Sequence, residues 1–237
     1  MKLIDQTWYL LKKEVLLEWR SKYAFNGVLL YVVSTVFICY ISFNLTPGFA
    51  QLGGVAPGET VGDGYKIVWN VLFWIIILFA SVNAIAKSFM QESKSRLLYY
   101  YTIASPQAII LSKTIYNILL MSLLSVLALV VYVLFFPNSI GSPLLYFLTV
   151  ILGSISFSTT FTMISAIASK AGNNGTLMSI LSFPVVIPII LVLIRLSKNA
   201  MDGIDQSLSY NHIGALGAIN AIVIATSLLL FPYLWRD

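Results

Sequence analysis

The chain has 237 residues, of which 59% are hydrophobic and 10% charged, with a net charge of +5, a pI near 9.2 and a mean hydropathy of +0.89. A soluble domain carries roughly 25% charged residues, so this chain lacks the means to cover a water-facing surface. Its apolar runs are continuous over about 20 residues, enough for a helix to cross roughly 30 Å of hydrocarbon, and they lack the two-residue alternation of a membrane barrel. The fold expected is all-α, a polytopic membrane protein with about six transmembrane helices and a single domain over 1–237. In such a chain the basic residues report orientation rather than affinity for nucleic acid, so no nucleic-acid partner is expected.

Residues 1–24 come first and are amphipathic. Ile4, Trp8, Leu11, Val15 and Trp19 recur at helical spacing, with Lys12, Lys13, Glu14, Glu18, Arg20 and Lys22 between them. Such a helix is expected to lie along the bilayer interface, with aromatics at headgroup level and lysines in water. The apolar run that begins near Phe25 is too long for the apolar part of a secretory signal, so cleavage is not expected. Spans are expected at 25–45, 66–86, 108–136, 144–168, 176–196 and 213–234. The connections are a Gly/Pro-rich loop at 46–65, a charged loop at 88–106, two short turns, and a polar segment at 197–212. Cys39, the only cysteine, falls inside span one and reads as a small packing residue.

The basic residues divide unevenly between the two sides. Lys2, Lys12, Lys13, Arg20, Lys22, Lys87, Lys94, Arg96, Lys113, Lys170 and Arg236 fall on one side, and Lys66, Arg195 and Lys198 on the other. The positive-inside bias therefore puts both termini and the 88–106 loop in the cytoplasm. The external connections carry Glu59, Asp63, Asp202 and Asp205.

Motifs for chemistry are missing. There is no G-x-x-x-x-G-K-[ST] phosphate loop, no H-E-x-x-H, no G-x-S-x-G and no C-x-x-C-H, so no catalytic residue, metal site or covalently held cofactor is expected. Lys113 and Arg195 stand near span ends and are expected to reach an interface. His212, the only histidine, has two readings: a ligand for haem or a metal, or an interfacial residue with one face in water. In span five, Pro184 and Pro188 each remove a backbone donor; they read either as a flexible break at a moving interface or as a static kink. Span four, "GSISFSTTFTMISAIAS", is rich in small and hydroxylated residues and reads as a packing face and candidate dimer seam. Thr159, Thr160 and Thr162 could alternatively line a polar path.

The loop "KSFMQESKSRLLYYYTIASPQA" can form a short helix ended by Pro106, with Phe89, Leu97, Leu98 and Tyr101 as apolar contacts and Gln91, Glu92, Lys94 and Arg96 as polar ones. It suits docking into a groove on another protein, or anchoring at the headgroups through its tyrosines.

Three stretches carry a resemblance: "LLKKEVLLEWRSKYAFNG", then "YKIVWNVLFWIIILFASVNAIAKSF" followed by the charged loop and "SPQAIILSKTIYN", and last "GNNGTLMSILSFPVVIPIILVL" with its paired prolines. Over nearly all of 8–234 the chain resembles the CcmB family, the ABC-2-type permease subunits of the bacterial cytochrome c maturation machine, long called the haem exporter. Two departures stand out. The loop reads "ESKSRLL", with Lys94 and Arg96 where the family is often acidic, and the first external loop is longer.

The resemblance implies a homodimer in the bacterial inner membrane, paired with a separate CcmA-like ATPase and acting beside CcmC-like and CcmE-like haem-handling proteins. It implies haem as the transported or handled species, and ATPase coupling through Phe89, Glu92, Lys94, Arg96, Leu97 and Tyr101. Alternatives are a permease exporting a drug or glycan, and a membrane scaffold that moves nothing.

Overall fold

The computed structural model describes residues 3–21, 23–45, 63–85, 89, 104–136, 140–170, 174–203 and 206–236. Among them are seven helices and no strand: α1 (Leu3–Ser21), α2 (Tyr23–Leu45), α3 (Asp63–Ile85), α4 (Pro106–Phe135), α5 (Pro143–Lys170), α6 (Asn174–Asp202) and α7 (Gln206–Arg236). The six from α2 to α7 each contain a segment long and apolar enough to cross a membrane. A helix satisfies its own backbone, which hydrocarbon requires of any spanning segment.

Helix α5 is the centre of the bundle and packs on α3, α4, α6 and α7. Of its spanning segment 67% is buried, against 17% for α2 at the edge. Composition is the cause, because small residues let neighbouring helices approach. Gly153 lies against the Trp74 ring, where a Cβ would sit 2.5 Å from the nearest ring carbon. Thr149, Ser154 and Thr162 donate their hydroxyls to carbonyls one turn back, so these groups enter the core already bonded.

The candidate dimer seam of span four is therefore used inside the subunit. Ser154, Ser158, Thr159, Thr160 and Thr162 are each at most 2% exposed. Asn117 Nδ2 donates to Thr162 Oγ1 at 2.8 Å, Ser158 Oγ donates to the Asn117 carbonyl at 3.1 Å, and Thr159 Oγ1 donates to Asn220 Oδ1 at 3.4 Å. These bonds tie α4, α5 and α7 together.

Away from α1, aromatic side chains of α3, α4 and α5 fill the core. The Trp69 ring lies 4.8 Å from Tyr132 and 5.7 Å from Tyr146, centre to centre, and the Tyr132 hydroxyl donates to the Trp69 carbonyl. Asn70 Nδ2 and the Trp74 indole N–H bond α3 to the Ile194 carbonyl and the Ser197 hydroxyl of α6.

These bonds explain a correction. The polar segment expected over 197–212 is mostly helical, with α6 running on to Asp202 and α7 starting at Gln206. Ser197 has its partners in Trp74 and its own preceding turn, while Leu196 and Ala200 are fully buried. The last carbonyls of α6, at Ala200 and Met201, accept from the Ser142 and Gly141 amides at 2.8 and 3.0 Å. Gly203 then takes a φ of 65°, ending the helix with a left-handed residue.

Candidate coupling site at the α1 end

Helix α1 turns its aromatics outward and a polar stripe inward. Ile4, Trp8 and Trp19 are 78%, 65% and 78% exposed. Gln6, Leu10, Glu14 and Glu18, spaced four apart and so on one face, are half-buried. Glu18 accepts from the Phe25 amide at 2.9 Å, which fixes the corner between α1 and α2.

Gln6 and Glu14 both meet the start of α4. The Gln6 side-chain oxygen accepts from the Ser105 amide at 3.2 Å and from its hydroxyl at 2.9 Å. Ser105 is the N-cap of α4, its hydroxyl facing the Ala108 amide, with Pro106 at the first helical position. Two turns further on, Lys113 Nζ lies 3.5 Å from Glu14 Oε1, and Lys13 Nζ lies 2.9 Å from the same oxygen. Lys113 is 4% exposed; its ammonium reaches α1 and is paired there rather than open to water. A cation at that depth requires a counter-ion, and α1 supplies it. Burial pushes the Glu14 carboxyl up, but Lys113 and Lys13 outweigh this and hold it below its ordinary value.

Phe89 closes the cluster. Its ring lies 4.9 Å from Lys113 Nζ, close enough for cation–π attraction, and 5.6 Å from the Phe231 ring of α7. It is 2% exposed, packed with Ile109 and Ile110 of α4, Ala166 of α5 and Phe231. Phe89 therefore faces the inside of this subunit and is no exposed docking contact.

Glu92, Lys94, Arg96, Leu97 and Tyr101 lie outside the described residues, which include only Phe89 and 104–106 of the 88–106 loop. Both recorded ends of the loop are held by the bundle, Phe89 beneath Lys113 and Ser105 against Gln6. Pro184 and Pro188 are on the exposed side of α6, which continues through both. His212 is half-buried in the second turn of α7. Among the described residues no three of His, Cys, Asp and Glu gather where they could hold a metal.

Sequence reasoning missed the Gln6–Ser105 and Glu14–Lys113 contacts. The signal available was a lysine inside span three, needing an anion, and an amphipathic helix with carboxylates one turn apart.

Six apolar spans, one of them a hydroxyl-rich central helix, with an amphipathic helix ion-paired to another, define a multi-pass all-α membrane protein. Its family follows from comparison: the model of the CcmB protein family matches residues 5–233, and the chain belongs to that family. The family is one of membrane permease subunits acting in cytochrome c biogenesis, not of enzymes. A comparison with curated proteins finds no match.

Proposed function

We propose that the chain works as a homodimeric permease energised by a separate CcmA-like ATPase that docks on the 88–106 loop. The loop, α1 and both termini face the cytoplasm of a bacterial inner membrane. CcmC-like and CcmE-like proteins act beside it, with haem, or the release of haem-loaded chaperone, as the outcome. The observation that carries this reading is the anchoring of Phe89 and Ser105. A push on the loop between them reaches α4 through the Ser105 cap, α1 through Gln6 and Glu14, and α5 and α7 through the Phe89 cluster. Docking itself falls to Glu92, Lys94, Arg96, Leu97 and Tyr101. The exposed side of α6, with Phe183, Pro184, Ile187 and Pro188, is the face we assign to the second copy. Carbonyls left without an N–H partner by the prolines favour a protein neighbour over lipid.

The test is copurification of the ATPase with a chain carrying Leu97→Asp and Tyr101→Asp. Loss of the ATPase, with the chain still folded in the membrane, is the expected result, whereas undiminished copurification removes docking from this loop. Export of a drug or glycan predicts instead that ATP turnover is indifferent to the haem chaperone.

A further inference from the structure

Between α1, α2 and α4 an open groove of about 530 Å³ runs along the outside of the bundle, within the roughly 300–1,000 Å³ of ordinary small-molecule sites. Its two ends differ in chemistry. Glu18, Asn26 and Tyr116 line one end, and Leu119, Leu120 and Leu123 continue it along α4. From Tyr116 to Leu123 the helix rises about 10 Å, away from α1 and toward the middle of the span.

The groove thus places a carboxylate at interface depth and aliphatic side chains below it. Glu18 accepts from a neutral donor, the Phe25 amide, and lines the groove beside Tyr116. Among the described cations of this end, Lys13 and Lys113 ion-pair with Glu14, while Lys12 and Arg20 are exposed on α1. Trp19, at the groove's edge, is 78% exposed, as suits an aromatic at headgroup level.

We propose that this groove holds one acyl chain of a phospholipid from the leaflet on the α1 side, and that Glu18 selects a headgroup bearing a primary amine. The chain lies along Leu119 and Leu123, whose exposure of 56% and 53% leaves them open to it. The ammonium sits at Glu18, in a charge-assisted hydrogen bond. Phosphatidylethanolamine has this chemistry, whereas phosphatidylglycerol brings only a negative charge to a carboxylate.

Native mass spectrometry of the full chain, incubated with phosphatidylethanolamine and phosphatidylglycerol of matched acyl chains, tests it. One bound phosphatidylethanolamine is expected in preference by about threefold to fivefold, the worth of one partly exposed ion pair. Glu18→Gln keeps an oxygen to accept from the Phe25 amide, and is expected to remove the preference while phosphatidylglycerol is retained at least as well as before. Leu123→Trp fills the groove and is expected to release both lipids. Equal retention of the two lipids by the unaltered chain overturns the assignment to Glu18. Retention unaffected by Leu123→Trp, or cysteine cross-linking of Leu119 to a second copy, overturns the lipid site.

Discussion

The two ends of the bundle are joined by different chemistry, although helices of similar length meet at both. At the end away from α1, backbone meets backbone in addition to the side-chain bonds from Asn70 and Trp74 to α6. The turn at Gly141 donates to the last carbonyls of α6, and Gly141 lies so near Gly203 that a Cβ would be 2.8 Å from its amide nitrogen. Lys66 and Asp202 of that end lie 3.9 Å apart with side chains 22% and 27% exposed. At the α1 end the contacts run between side chains: Gln6 to Ser105, Glu14 to Lys113, Phe89 over Lys113. Side-chain contacts of this kind can exchange partners while the helices stay intact, but a glycine-to-glycine approach cannot loosen without moving backbone. Under the proposed function, this difference favours movement at the α1 end.

The largest effect is expected where backbones touch. Gly141→Val places new atoms against the Gly203 backbone and Met201 carbonyl, and is expected to destabilise the fold by about 3 kcal/mol, seen as a lower midpoint of thermal unfolding in detergent. Next is Lys113→Met, which removes the buried cation but leaves Glu14 with Lys13. A cost of roughly 2 kcal/mol is expected, below that of a buried pair broken outright. Lys66→Ala at the other end is expected to change the same midpoint little, since partly exposed pairs contribute about 0–1 kcal/mol. If the two lysine variants unfold alike, the two ends do not differ as described.

The smallest effect is on pH dependence. Glu14 is held below its ordinary value of 4.5, so its contribution is complete above that pH and disappears as pH falls through the lowered value. Tryptophan fluorescence should report α1 loosening in that acidic window in the unaltered chain and not in Glu14→Gln.

Much of the fold was legible in the sequence, because an apolar run of spanning length leaves a segment little choice but helix. Boundaries failed where polar residues found partners far along the chain. Ser197 reads as the start of a loop until Trp74 is placed beside it. Lys113 reads as a lysine open to water until Glu14, nearly a hundred residues earlier, is brought against it. The hydroxyls of α5 were legible as a packing face but not its partner: the pattern that brings two subunits together also brings helices of one subunit together, and composition does not say which. Of the candidate site, the loop was legible as a rich connection between spans. The inward turn of Phe89 was not, since an aromatic beside charges looks the same whether it faces a partner or a lysine beneath it.

The central claim is that a push on the 88–106 loop enters the bundle through Phe89. It is tested most directly by reconstituting the permease with its ATPase and haem-loaded chaperone and measuring chaperone released per ATP hydrolysed. Phe89→Ala is expected to keep the ATPase bound and hydrolysing while release per ATP falls several-fold, because the anchor is lost but the docking residues remain. Release per ATP equal to that of the unaltered chain would contradict the account.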